Sequence, residues 1–112
     1  MKKSRNKKPA VRVILVAAPP KEAKALGERL VRERLAACAN LVPKVLSFYW
    51  WQGKLQRDAE TLIILKTPPQ NVPRLLKRVR ELHSYTVPEF LALPVDAANQ
   101  AYVEWANRES RP

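Results

Sequence analysis

Two long runs rich in apolar and aromatic residues flank a single glycine, and few folds accommodate them. Before Gly53 the chain reads Val45-Leu46-Ser47-Phe48-Tyr49-Trp50-Trp51. After it, Leu55 leads through the polar stretch Gln56-Arg57-Asp58-Ala59-Glu60 to Leu62-Ile63-Ile64-Leu65 and on to Thr67. Strand side chains alternate, so Val45, Ser47, Tyr49 and Trp51 share one face and Leu46, Phe48 and Trp50 the other. Gly53 supplies the positive φ of a tight reversal, and the whole predicts a hairpin. With roughly a dozen residues per arm at about 3.3 Å each, the ribbon spans about 40 Å. A domain of this length, with a radius of gyration near 13 Å, is only about 33 Å across. One end of the ribbon must therefore overhang. Aromatics on both faces make an overhanging edge adhesive unless something covers it, so we expect a homo-oligomer.

The elements on either side arrange themselves around this hairpin. Val11 to Ala18 is a near-continuous apolar run, the pattern of a strand lying centrally in a sheet or covered on both faces. Pro19 and Pro20 end it, and from Lys21 to Leu35 the positions Ala23, Leu26, Leu30 and Leu35 follow helical spacing. Ala37 to Val42 returns as a strand, with a bulge or bend expected at Pro43 and Lys44. Beyond the hairpin, Pro68 and Pro69 break the chain, and Asn71 with Pro73 offers a helix start. Val72, Leu75, Leu76, Val79 and Leu82 form that helix's apolar stripe, which ends near His83. Phe90-Leu91-Ala92-Leu93, between Pro88 and Pro94, predicts a short edge strand. Ala98, Tyr102, Trp105 and Ala106 mark a C-terminal helix. The expected order is βαββαβ plus one helix, an α+β ferredoxin-like two-layer sandwich with right-handed crossovers.

With 112 residues, ten Pro and only two Gly, the chain suits one small domain over 11–112, preceded by a basic disordered tail over 1–10. The formal charge of +11 suggests nucleic acid, but five of those eleven charges lie in the first eight residues and six remain for the folded part. On the first helix Lys24 and Arg32 are mixed with Glu28, the pattern of a solvated face. Nucleic-acid binding is not expected, for zinc-finger spacing and ribonucleoprotein aromatics are both lacking. A membrane span would need about 18 consecutive apolar residues, and no stretch reaches that. Lys2 to Lys8 ahead of Val13-Ile14-Leu15-Val16 superficially resembles a signal peptide. Arg12 interrupts it, however, and cleavage would remove the first core strand. The single Cys38 suits a reducing compartment, and a cytoplasmic location is expected.

Cys38 and His83 are the strong soft-metal ligands, and Glu60, Glu89 or Asp58 could complete a set. Thiolate with imidazole favours copper or zinc over magnesium. Each residue also has a plainer role: free cysteine packs as a small hydrophobe, histidine caps helix ends, and Glu60 or Glu89 pairs at the surface with Lys66 or an arginine. In a βαββαβ sheet the start of the second strand and the end of the second helix lie at opposite ends. A joint Cys38–His83 site therefore needs two subunits. The same two residues as a thiol-hydrolase dyad would lack an orienting partner and a Gly-rich oxyanion loop, so binding is expected rather than catalysis. Trp51, His83, Tyr85 and Glu89 form a candidate pocket that, with Lys66 and arginines as donors, could take an anion or nucleotide.

At Ala36-Ala37-Cys38-Ala39-Asn40, Tyr49-Trp50-Trp51-Gln52-Gly53-Lys54, Leu65-Lys66-Thr67, His83-Ser84-Tyr85-Thr86-Val87-Pro88-Glu89 and Tyr102-Val103-Glu104-Trp105, the chain resembles the CutA family of divalent-cation tolerance proteins. The resemblance runs from about residue 11 to 106 and implies a ferredoxin-like subunit in a homotrimer whose long hairpins are shared. It further implies a link to tolerance of copper and other divalent ions, with no established reaction and no cofactor needed for folding. Family proposals for metal binding carry over only to Cys38 and His83. The chain departs from the family pattern at Ser84, within the usual His-Pro-Tyr, and has Leu15 and Leu82 where some members offer a further Cys or His. PII signalling proteins are similar in fold and assembly, which gives the alternative of a module binding a small anionic ligand between subunits.

Overall fold

The computed structural model describes residues 8–112, so most of the expected basic tail, residues 1–7, lies outside the described residues. The chain folds as β1 (Arg12–Ala18), α1 (Pro20–Arg32), β2 (Cys38–Trp51), β3 (Lys54–Thr67), a 3₁₀ turn (Pro69–Asn71), α2 (Val72–Leu82), β4 (Leu91–Pro94) and α3 (Gln100–Glu109). The four strands form one sheet in the order β2-β3-β1-β4, and every neighbouring pair is antiparallel. This is the expected βαββαβ order with α3 appended. All of these elements lie between Arg12 and Glu109.

β1 lies inside the sheet, which explains its apolar run, but only one of its faces is fully covered. Ile14, Val16 and Ala18 are buried beside Leu65, Ile63 and Thr61 of β3, against Ala23, Leu26 and Leu30 of α1 and Leu75 and Val79 of α2. Val13 and Leu15 turn to the opposite face with their β4 partners Leu93 and Leu91, which are 41% and 53% exposed. Gly27 brings α1 close to the sheet: a Cβ there would sit 3.2 Å from Leu41 Cδ1.

α1 stops at Arg32, three residues short of the expected Leu35. Arg34 takes a left-handed φ of 63°, and Leu35 N–H bonds the Leu30 carbonyl at 3.1 Å, a helix ending usually built on glycine. The Arg34 guanidinium is held by the Glu109 carboxylate at 2.9 Å and its carbonyl at 3.0 Å. α3 is thereby fastened over a second cluster of Val11, Ala37, Val103 and Ala106. Asn71 precedes α2 as expected, yet its side chain does not cap the helix. It donates instead to the Ser110 carbonyl at 3.0 Å and accepts from Arg74 at 2.8 Å.

The hairpin turns at Gln52-Gly53, with φ values of 51° and 77°, and its arms have 14 residues each. The bulge falls where expected: Val42 opposes Leu62 and Val45 opposes Glu60, so Pro43 and Lys44 face the single Thr61, and Lys44 takes a φ of 62°. The molecule measures 52 × 26 × 25 Å, and Leu46, Phe48 and Trp50 on the ribbon are 64%, 59% and 73% exposed.

Candidate functional site

A cavity of about 640 Å³ lies where the base of the ribbon meets the segment after α2. Strand parity builds its floor. Ile63 and Leu65 face the helices, so Glu60 and Asp58 face away from them, and cross-strand partners place Ser47 and Val45 on that same face. Tyr49 and Trp51 follow at two-residue steps. The segment Ser84–Glu89 passes over this face and closes the other wall.

His83 fixes that segment. Its ring is buried, Nε2 lies 2.8 Å from the Ala17 carbonyl of β1, and Nδ1 accepts from the Tyr85 backbone N–H at 3.0 Å. These partners select the tautomer protonated on Nε2 and occupy both nitrogens. The Tyr85 ring packs on the imidazole with centroids 4.7 Å apart, and its hydroxyl donates to Glu60 Oε2 at 2.8 Å. Burial, and then the bond to Glu60, push the Tyr85 phenol well above the ordinary tyrosine range. Tyr49 donates to Asp58 across the strands, and that bond raises its phenol too. Glu89 is held above the usual carboxylate range, first by desolvation and then by the charge of Glu60. Among the described residues, the lining carries Glu60 and Glu89 but no lysine or arginine.

The candidates named from sequence divide into two groups. Trp51, Glu60, Tyr85 and Glu89 meet at the cavity, with His83 immediately behind Tyr85. Glu60 is 6% exposed and bonded to Tyr85, so it is neither a surface carboxylate nor the partner of Lys66. Lys66 shares its sheet face but lies at the far end of β3, opposite Cys38, where its ammonium bonds Asn40 and sits 4.0 Å from Cys38 Sγ. Cys38 lines a different groove with Ala39, Leu41 and Trp105, and its proximity, after burial, raises the Tyr102 phenol. Cys38, His83 and Glu60 therefore do not form a ligand set within one chain. Among the described residues, no three His, Cys, Asp or Glu side chains gather closely enough to hold a metal ion. The thiol–imidazole dyad does not form either. Sequence reasoning missed Ser47 and Tyr49 as lining, although their parity with Trp51 carried the signal.

Fold and site together define a small α+β protein with a four-stranded antiparallel sheet, a projecting ribbon and an acidic, tyrosine-walled cavity. The chain belongs to the CutA1 divalent ion tolerance protein family, whose model matches residues 12–109. The divalent-cation tolerance protein CutA of Thermus thermophilus is 46% identical over 94 residues, which are 83% of this chain and 91% of that protein. The chloroplastic protein CutA 1 of Oryza sativa is 45% identical over 100 residues. These cover 88% of this chain but only 56% of the rice protein. Among solved structures, the PII-like protein CutA from Nostoc in apo form superposes with a TM-score of 0.86 at 34% identity, covering 89% of this chain and 97% of that one.

Proposed function

We propose that the protein is a homotrimeric binding protein for divalent cations that acts in metal tolerance without catalysing a reaction. The observation that carries this reading is Glu60, a carboxylate buried beside Glu89 in a cavity whose lining, among the described residues, holds no cationic side chain. A buried carboxylate with a second, exposed one beside it on the cavity wall favours a cation, which relieves their repulsion, and disfavours a phosphate. The oxygen donors of Glu60, Glu89 and Tyr85 suit harder ions such as Mn²⁺. Copper chemistry would centre on Cys38, at the other end of the sheet.

The exposed apolar surface supports an assembly of this kind. The ribbon leaves Leu46, Phe48 and Trp50 in solvent, and the sheet face away from the helices leaves Leu91 and Leu93 there too. These patches lie on opposite faces of the sheet, the ribbon residues on the helix side and the β4 leucines on the face away from the helices, and copies of the chain can cover both for one another. A partner's ribbon laid along the latter face closes the cavity and brings donors that one chain lacks.

Titration of the assembled protein with Mn²⁺ and with Cu²⁺ tests the reading. Glu60→Gln and Glu89→Gln should each weaken Mn²⁺ binding at least tenfold, whereas Cys38→Ala should affect Cu²⁺ alone. Binding curves for both glutamine variants that overlay the unmodified protein would remove the cavity as the cation site.

A further inference from the structure

A second groove, of about 460 Å³, runs along the outside of α2 and has the opposite electrostatic character. The core stripe of α2 is Val72, Leu75, Val79 and Leu82. A different stripe, Pro73, Leu76, Lys77 and Arg80, at spacings of three, four and seven, faces Thr86 and Pro88 in the segment after the helix. Lys77 and Arg80 are exposed, and among the described residues neither makes a salt bridge. Nearby guanidiniums are committed: Arg78 holds Glu33 and Glu81, Arg29 holds Glu33, and Arg32 holds Glu28. Glu81, the one acid lining the groove, is bonded by Arg78 at 3.1 Å. The groove thus presents two cations without acidic partners, a hydroxyl from Thr86, and an apolar floor of Leu76 between two prolines.

We propose that this groove binds a small phosphorylated molecule, with the phosphate between Lys77, Arg80 and the Thr86 hydroxyl and an apolar or planar body against Leu76 and Pro88. Paired cations one helical turn apart match a dianionic phosphate, and the prolines give a rigid wall that costs little entropy to order. Thr86 also lines the acidic cavity, so the segment 84–88 divides a cation-favouring space from an anion-favouring one. The proposal does not rest on the cavity's taking a metal.

Phenyl phosphate, inorganic phosphate and phenol serve as probes, titrated by NMR at fixed low ionic strength. Phenyl phosphate should bind at least fivefold more tightly than inorganic phosphate and shift the amides of Leu76, Lys77, Arg80 and Thr86. K77Q/R80Q should weaken it at least tenfold, while K21Q/K24Q, which removes the same charge from α1, and E60Q should each leave it within twofold. Equal loss in K77Q/R80Q and K21Q/K24Q would mean a diffuse cationic surface and overturn the groove. Unchanged binding in K77Q/R80Q, or phenol binding as tightly as phenyl phosphate, would overturn it as well.

Discussion

Replacing His83 by alanine separates a structural histidine from a metal ligand. The ring joins β1 to the segment that walls the cavity through two bonds, 2.8 Å to the Ala17 carbonyl and 3.0 Å from the Tyr85 N–H. Removing it strands an acceptor and a donor in a buried setting, at about 1–2 kcal/mol each, so the pair amounts to about 2–4 kcal/mol before lost packing is counted. For a chain of this size that lowers the melting temperature by about 10 °C or more. Urea and thermal unfolding at one fixed protein concentration measure it, since an oligomer's stability depends on concentration. His83→Gln keeps an amide donor and a carbonyl acceptor and should recover part of the loss. If His83→Ala left stability intact while abolishing divalent-cation binding, the histidine would be a ligand and the reasoning from its two occupied nitrogens would fail.

Glu33 is held down to about 2 by its bonds to Arg78 and Arg29, against an ordinary value of 4.5. A depressed carboxylate adds stability that is fully present above about pH 4.5 and is lost as pH falls towards 2, so Glu33→Gln should flatten the stability profile in that window. Parallel profiles for the two proteins would contradict this. Gly27→Val places methyls against Leu41, whose Cδ1 is 3.2 Å from the added Cβ, and Ala39, at 3.6 Å. It should cost about 1–3 kcal/mol in urea unfolding, whereas Gly27→Ala, aided by helix propensity, should cost much less.

Much of the fold was legible because the strong signals are local. Gly53 between an aromatic run and an aliphatic one gave the turn, the proline pairs gave the element breaks, and Pro43-Lys44 gave the bulge. The early end of α1 was not legible, since an arginine in a left-handed conformation is selected by a distant partner, Glu109, rather than by its own propensity. The site was harder to read for a related reason. Two residues of β2 at the bulge oppose one of β3, so every β2 residue beyond it changes face, and only that register brings Ser47, Tyr49 and Trp51 to the face on which Glu60 meets Tyr85. Lys66 lies three steps of parity further along the same face. Composition gave no hint that it would be spent on Asn40 at the other end.

The most direct test of the assembly reading is the mass of the protein in solution by multi-angle light scattering at micromolar concentration. A particle three times the 12.8 kDa chain is expected, and Trp50→Lys with Leu46→Lys should reduce it. A stable 12.8 kDa monomer, with its ribbon left bare, would contradict the account.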